Sequence, residues 1–393
     1  MRSLVTVAAC ACVLALVSCV SPRPLKETSP VRIGFFADMT SAGTDGADAF
    51  KGCELRVEQT NTSGGIGGRQ IELFSVDMKA NPADAVKAYT QLVQDDGVCV
   101  VIGASVPNSG VAVSPVADLS RVPLVSLGID DRVTTPEVKA DNPDDVGKPR
   151  AFTFLLQASA TQSAQALAWY SLDHLAGKRF ATVYDPVNPV SVLQAHAFEN
   201  VIRRAGRTVT SSVPIPAGDL GPAARAMGEA GTEAVYVCAS VEANAAAVRT
   251  LRQFMPAVVF LGNQAWYAPM ATLGGDAADH AWFSMPLSPD DPAVAQIAPA
   301  FAARFGDVPR PAAMTAWDAI GVVVAAVRKA GTSDPVRIRD ALEQAASFPM
   351  LQGPLDMDRR THRPAFPFVA IMQVSGTGYR TVEPRYEHRP PGT

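Results

Sequence analysis

The sequence predicts an α/β protein with two doubly wound lobes, each a parallel sheet with helices on both faces. Short apolar segments alternate with segments whose apolar residues recur at helical spacing, first over 31–127 and again over 152–261. Such alternation is typical of βαβ units and therefore of parallel sheets. The chain has 393 residues, 48% of them hydrophobic, and a single core rarely organises more than about 250–300 residues. We therefore expect two domains.

The first unit is predicted from seven segments. Asn81 followed by Pro82 is typical of a helix start. The glycine-rich stretch 61–73, NTSGGIGGRQIEL, lies between a predicted helix and a predicted strand. Phosphate-binding loops have the opposite order, from strand to helix, so we interpret these glycines as a turn. The predicted elements are strands over 31–37, 70–76, 98–103 and 122–127, and helices over 47–60, 82–94 and 111–119.

A polar stretch over 129–150 interrupts the alternation, and its length is unusual for a loop inside a compact domain. It is compatible with a domain crossover, a lid or a solvated insertion. The second unit follows, with strands over 152–156, 179–184, 208–213, 234–238 and 258–261, and helices over 161–175, 191–205, 222–230 and 242–254. Three more helices, over 291–305, 312–329 and 335–346, precede a strand over 366–374. Helices after two α/β units suggest that the chain returns to complete the first domain.

The N-terminus has the features of a secretory signal. Arg2 precedes an uncharged apolar run over 4–17, which is short for a membrane-spanning helix but typical of a signal peptide. The run ends in Leu-Val-Ser-Cys, which resembles the lipobox of bacterial lipoproteins. We therefore expect a signal peptide over 1–18, lipidation of Cys19 and a tether over 19–30, with the acyl chains as the only contact with the membrane.

Charge and motifs exclude several functions. The net charge of −4 favours neither nucleic acid nor an anionic membrane surface. We find no ligand-spaced Cys/His cluster, no serine-nucleophile elbow and no dinucleotide motif, so we expect no metal, no cofactor and no catalytic residues. Cys53, Cys99 and Cys238 would remain in the mature chain. Cys99 and Cys238 lie in apolar strands, as small buried residues do, and a bridge between Cys53 and Cys99 stays open.

Several motifs resemble one family. Gly-Gly-Ile-x-Gly-Arg over 64–69, followed by Ile-Glu-Leu over 71–73 and Asp77, is similar to type I periplasmic binding proteins of the Leu/Ile/Val-binding branch, the receptors of amino-acid ABC transporters. Val-Ile-Gly over 101–103 and Val-Pro-Leu-Val-Ser over 122–126 extend the resemblance, which runs from about 31 to 379. It implies two lobes joined by three hinge crossovers, near Arg150, Pro286 and Phe366. The expected N-terminal lobe is 31–150 plus 287–365, and the expected C-terminal lobe is 151–286 plus 366–393.

A ligand is expected beyond the carboxyl ends of the strands, where open α/β sheets bind small molecules. The strand-end loops lie over 38–41, 105–109, 128–131, 184–188, 240–242 and 263–267. From these loops we select thirteen candidate ligand-binding residues: Asp38, Thr40, Pro107, Asn108, Ser109, Gly128, Asp130, Asp185, Asn188, Ser240, Glu242, Gln264 and Trp266.

The resemblance also implies a departure at the ligand. The family holds an α-carboxylate with a Ser and a Thr, where this chain has Pro107 and Asp130, and it holds the ammonium with an acid, where this chain has Gln264. The loops are instead rich in acids, so one hypothesis is an amide-type or cationic ligand with Trp266 or Tyr267 stacked on it. The alternative is that these acids cap helices or are solvated.

Together with the lipobox-like sequence, the resemblance implies a lipid-anchored periplasmic receptor of a Gram-negative bacterium. It would bind a small amino-acid-like, amide-type or cationic ligand and deliver it to an ABC permease and ATPase. The other hypothesis is a sensor or protein-interaction lipoprotein on the same scaffold, because almost every expected ligand-contact position differs from the family.

Overall fold

The computed structural model describes residues 28–41, 45–79, 81–103, 108–139, 141–142, 145–175, 179–215, 218–267 and 269–387. The expected signal peptide, the lipidation site Cys19 and the candidate Pro107 lie outside the described residues.

The described chain alternates strands and helices through its first two thirds. The strands are β1 Val31–Ala37, β2 Ile71–Asp77, β3 Val100–Gly103, β4 Leu124–Ser126, β5 Thr153–Leu155, β6 Arg179–Tyr184, β7 Thr208–Pro214, β8 Ala234–Cys238, β9 Val259–Gly262, β10 Trp282–Met285, β11 Met357–Asp358, β12 Arg363–Pro364, β13 Val369–Ser375 and β14 Gly378–Tyr386. The helices are α1 Gly46–Thr62, α2 Pro82–Gln94, α3 Ser109–Ser120, α4 Ala160–His174, α5 Pro189–Arg204, α6 Gly221–Glu229, α7 Val241–Phe254, α8 Met270–Gly274, α9 Val294–Phe305, α10 Pro311–Ala330 and α11 Pro335–Glu343.

The strands form two large sheets and a small hairpin. The first sheet has the order β2-β1-β3-β4-β5, and every neighbouring pair in it is parallel. The second has the order β14-β13-β10-β9-β8-β6-β7, in which β7, β6, β8, β9 and β10 run parallel and β13 and β14 add antiparallel strands at one edge. The predicted α/β class with two doubly wound parallel-sheet lobes is confirmed.

Helices cover both faces of each sheet. In the first lobe, α1, α10 and α11 share one apolar core with the sheet, and α2 and α3 share another on the opposite face. In the second lobe, α4 and α5 cover one face and α6, α7 and α8 cover the other. Because both faces of the central strands are buried, those strands consist of nearly continuous apolar residues: β1 is VRIGFFA, in which only Arg32 is exposed.

The chain passes between the sheets three times. It leaves the first sheet after β5, returns to the first lobe after β10, and leaves again between β12 and β13. The strand over 152–156 was assigned to the C-terminal lobe, and this assignment is wrong, since β5 pairs with β4 in the first sheet. The first crossover therefore lies over 156–159 rather than near Arg150.

The glycine-rich stretch is a turn between α1 and β2. Four of its glycines, Gly64, Gly65, Gly67 and Gly68, have φ between 62° and 93°, which glycine adopts at little cost. At Gly65 a Cβ would lie 2.0 Å from the carbonyl oxygen of Arg69, so a side chain there has no room. The stretch shapes the lobe and does not face the cleft described below.

Helix α10 is the core helix of the first lobe. By length and composition it is long and apolar enough to cross a membrane, but 67% of its most apolar window is buried inside the fold. Gly52 of α1 packs so closely on it that a Cβ would lie 1.9 Å from the carbonyl oxygen of Ala313. Its hydropathy therefore reflects burial in this lobe.

Candidate functional site

A cleft of about 370 Å³ lies between the two sheets, at the carboxyl ends of their strands. This is the position at which open α/β sheets bind small ligands. Residues of both lobes line it. The first lobe contributes Asn108, Gly110, Gly128, Ile129, Asp130 and Val133, and the second contributes Asn188, Val190, Ser191, Gln194, Ala239, Ser240, Asn263, Gln264 and Ala265.

Three helices begin at the cleft, each after a parallel strand. They are α3 after β3, α5 after β6 and α7 after β8. Two of the caps use side chains: Asn188 Oδ1 accepts a hydrogen bond from the Val190 amide at 3.0 Å, and Ser240 Oγ accepts one from the Ala243 amide at 3.3 Å. Because a helix N-terminus carries partial positive charge, the three helices favour an electron-rich ligand group.

The first-lobe wall contains an ion pair between Asp130 and Arg132. Arg132 Nη2 donates to Asp130 Oδ2 at 2.6 Å and to Asn108 Oδ1 at 3.0 Å, while Arg132 Nε donates to both Asp130 oxygens at 3.1 and 3.2 Å. Asp130 Oδ1 also accepts the Arg132 backbone N–H at 3.0 Å. The carboxylate of Asp130 therefore enters the cleft already paired with a cation.

The second-lobe wall is built on a chain of amides. Asn244 Nδ2 donates to Asn263 Oδ1 at 3.4 Å, Asn263 Nδ2 donates to Gln194 Oε1 at 3.0 Å, and Gln194 Nε2 donates to Gln264 Oε1 at 3.4 Å. Asn244 and Gln194 are fully buried and Asn263 nearly so. This chain of amides extends from the core to the cleft and holds the side chain of Gln264 in place.

The remaining lining is apolar or small. Ile129 and Val133 belong to the first lobe, and Val190, Ala239 and Ala265 belong to the second. A cleft with an apolar side and a few directed polar groups is typical of a small-molecule site.

A buried ion pair of the first lobe lies where the two lobes meet and is contacted by residues at the start of α4. Arg363 of β12 donates to Asp131, which follows β4, and its other nitrogens donate to Thr134 and Thr135. At the start of α4, Ser159 Oγ donates to Asp131 Oδ1 at 2.7 Å and Thr161 Oγ1 donates to the same oxygen at 2.6 Å. We call these six residues the junction cluster, because they connect the ends of the first and third crossovers.

Six of the thirteen candidate residues line the cleft: Asn108, Gly128, Asp130, Asn188, Ser240 and Gln264. Ser109 is fully buried at the start of α3, between two residues that line the cleft. The other described candidates, namely Asp38, Thr40, Asp185, Glu242 and Trp266, are absent from the lining.

These outlying candidates have structural contacts instead. Thr40 Oγ1 donates to Asp77 Oδ2 at 2.6 Å, Asp38 Oδ1 accepts the Ser41 amide at 2.9 Å, and Asp185 Oδ1 accepts the Val187 amide at 3.0 Å. Glu242 is exposed in the first turn of α7.

Trp266 does not face the cleft, so stacking of a ligand on it is a wrong expectation. Its side chain is fully buried in the core of the second lobe, and its Nε1 donates to the Val237 carbonyl at 3.0 Å. The short 3-10 helix that follows Asn263 turns the indole inward against Gly262.

Six cleft residues of the second lobe were not among the candidates, and two of them, Asn263 and Gln194, belong to the chain of amides. Asn263 is the first residue after β9, so it lay within a loop that the strand-end rule selected. Gln194 lies in the second turn of α5 and carries no local signal, because its partners Asn263 and Gln264 are 69 and 70 residues away.

Comparison with known proteins agrees with this architecture. The model of the periplasmic binding protein family matches residues 30–379. The Leu/Ile/Val-binding protein BraC3 of Rhizobium johnstonii is 28% identical over 355 residues, which cover 86% of this chain and 90% of the relative.

Solved structures show the same fold. An ABC transporter substrate-binding protein of Desulfitobacterium hafniense in complex with Leu superposes with a TM-score of 0.76 at 17% identity, covering 90% of this chain and 100% of that one. A solute-binding protein of an ABC transporter from Rhodopseudomonas palustris, in complex with 3,4-dihydroxybenzoic acid, gives a TM-score of 0.70 at 18% identity, covering 93% and 99%.

The fold and the cleft define a two-lobed binding protein. The chain belongs to the periplasmic binding protein family, as a type I member of its Leu/Ile/Val-binding branch. The family and the fold are those of binding proteins rather than enzymes.

Proposed function

We propose that this protein is the periplasmic substrate-binding component of an ABC transporter. It holds one small organic ligand between its lobes and delivers it to a permease and its ATPase. The observation that carries the proposal is the cleft of about 370 Å³, since residues from strand ends of both sheets line it together. A site divided between two lobes couples ligand binding to their relative position, as in hinge closure.

The lobes correspond to the two sheets. The N-terminal lobe comprises the segment from β1 to β5 and the segment from α9 to β12, and the C-terminal lobe comprises the segment from α4 to β10 together with β13 and β14. The crossovers over 156–159, 286–293 and 365–368 form the hinge. The apolar N-terminal segment and the lipobox-like sequence that ends in Cys19 support a lipoprotein that is anchored to a membrane and faces the periplasm.

A binding titration with a cleft-filling variant tests the proposal. We expect a compound from a panel of amino acids and small carboxylic acids to bind the mature chain and to reduce its radius of gyration in small-angle scattering. Ala265 lines the cleft, so Ala265→Trp fills it and abolishes binding. Ala246 is exposed on α7, so Ala246→Trp is the matched control and leaves binding unchanged. Binding that survives Ala265→Trp contradicts the assignment of this cleft.

An uptake assay separates transport from the sensor alternative. Cells that lack the gene lose uptake of the radiolabelled ligand if the protein serves a transporter, whereas a receptor that only senses leaves uptake intact.

Metabolic labelling with palmitate tests the lipid anchor: the wild-type protein takes up the label and Cys19→Ser does not.

A further inference from the structure

The backbone of Ala239 fixes the direction of the hydrogen bonds in the second-lobe wall. Asn244 pairs with the backbone of Ala239 through both ends of its amide: the Ala239 N–H donates to Oδ1 at 2.8 Å, and Nδ2 donates to the Ala239 carbonyl at 3.1 Å. A backbone N–H can only donate and a backbone carbonyl can only accept. The amide of Asn244 therefore has one possible orientation.

The orientation of the Asn244 amide fixes the orientation of each following amide in the chain of amides. The second N–H of Asn244 requires the oxygen of Asn263, so the Asn263 nitrogen faces Gln194. The Gln194 oxygen accepts from it, so the Gln194 nitrogen donates to Gln264 Oε1. The oxygen of Gln264 is thus used inside the protein, and its Nε2 remains for the cleft.

The amide side chains of Asn188 and Asn108, which also line the cleft, have the same polarity. Asn188 Oδ1 accepts from the Val190 amide and Asn108 Oδ1 accepts from Arg132. Over the part of the chain that the structure describes, Nδ2 of Asn108, Nδ2 of Asn188 and Nε2 of Gln264 make no hydrogen bond to another residue. In these three amides the oxygen accepts a hydrogen bond from the protein, and the N–H groups are available to a ligand.

Asp130, the one carboxylate among the described residues of the lining, does not reverse this polarity. Both oxygens of Asp130 accept hydrogen bonds from Arg132, and the side chain of Asp130 is 11% exposed. An ammonium group in the cleft would meet open donors and an acid that already has its cation. Such a group would lose its hydration without gaining an acceptor from these amides or from Asp130, which is costly.

We propose, on the basis of the function proposed above, that the ligand is a small organic carboxylate and that it needs no ammonium group. Its carboxylate oxygens accept hydrogen bonds from Gln264, Asn188 and Asn108, and the N-termini of α3, α5 and α7 stabilise the same charge. Its apolar body packs on Ile129, Val133 and Val190.

Matched ligand series test the proposal by calorimetry on the wild-type mature chain. One series is leucine, 4-methylpentanoate and isopentylamine; the other is phenylalanine, 3-phenylpropanoate and phenethylamine; 3,4-dihydroxybenzoate is added as an acid without an amine. We expect an acid to bind at least as tightly as the amino acid of its series and at least about tenfold more tightly than the amine, because a hydrogen bond to a charged group accounts for such a factor.

The results distinguish this inference from the proposed function. An amino acid or amine that binds about tenfold more tightly than its acid overturns the inference and leaves a ligand-binding protein. Absence of binding by all seven compounds contradicts the proposed function, and the inference with it.

A single substitution checks the polarity directly. Gln264→Glu replaces the open amide nitrogen with a carboxylate oxygen of the same shape, so the affinity for the preferred acid should fall at least about tenfold. Gln296 is exposed on α9 and does not line the cleft, so Gln296→Glu adds the same charge elsewhere and is the matched control. If both variants bind the acid equally well, the assigned role of Gln264 is wrong.

Discussion

The junction cluster gives a prediction that can be worked out in detail. The substitution is Arg363→Met, which removes the guanidinium but keeps a long apolar side chain. The side chains of Arg363 and Asp131 are 3% and 0% exposed, so the change leaves a carboxylate in the interior without its cation. Breaking one partner of a buried pair typically costs about 3–5 kcal/mol.

The remaining hydrogen bonds decide where in this range the cost falls. Asp131 keeps the hydroxyls of Ser159 and Thr161 and the Thr161 amide, at 2.6 to 3.1 Å. These donors still compensate part of the charge, so we expect the lower part of the range, about 3 kcal/mol of unfolding free energy. With a urea slope of about 3 kcal/mol/M, the midpoint should fall by about 1 M. Urea unfolding followed by circular dichroism measures it.

Two further variants isolate the cause. Arg360→Met removes a guanidinium that is 87% exposed and pairs with Asp358 at 3.4 Å, so it should change stability by less than about 1 kcal/mol. The double variant Asp131→Asn with Arg363→Met removes both charges and should be more stable than Arg363→Met alone. The reasoning is refuted if Arg363→Met costs no more than Arg360→Met, or if the two changes in the double variant simply add.

Three other predictions concern the core. Burial raises the pKa of Asp318 to about 8 from an ordinary value of 3.8. Because the folded state keeps a proton that the unfolded chain releases, the free energy of unfolding should fall as pH rises from about 4 to 8. In urea titrations at several pH values, Asp318→Asn should remove this pH dependence. Gly52→Ala forces α1 away from α10 and should cost about 1–3 kcal/mol by thermal unfolding, whereas Gly218→Ala, whose Cβ would meet nothing within 4 Å, should be neutral. The buried thiols of Cys53, Cys99 and Cys238 should all be free, and they should react with Ellman's reagent only after the chain unfolds. A single reactive thiol in denaturant would instead indicate a disulfide bridge.

The sequence allowed the buried strands to be predicted well. The predicted bounds of β6 and β8 agree with the structure, because strands buried on both faces stand out as short apolar runs between helices. The edge strand β14 was missed, since its residues are mostly polar and half-buried. The strand β5 was found but assigned to the wrong sheet. Alternation along the chain predicts that a strand exists, whereas only pairing shows which neighbour it joins.

The site was predictable to the level of its loops. The strand-end rule selected Asn108, Asp130 and Gln264, because the carboxyl ends of parallel strands meet at one edge. It could not show that Arg132 pairs with Asp130, nor that Gln194 contacts Gln264 across two different elements. Such contacts depend on the tertiary fold, so composition of the loops alone was a poor guide to the chemistry of the cleft.

The acidic residues at the strand ends show why formal charge misleads here. They suggested a cationic ligand, yet Asp130 is paired with Arg132, Asp131 with Arg363, and Asp185 accepts a backbone N–H of its own turn. Short acidic side chains are common at such positions because they satisfy the first amides of a turn or helix. Among the amide side chains that line this cleft, the groups without internal partners are the N–H donors of Asn108, Asn188 and Gln264. The polarity of the site therefore follows from hydrogen-bond direction, which begins at the backbone of Ala239 and ends at Gln264.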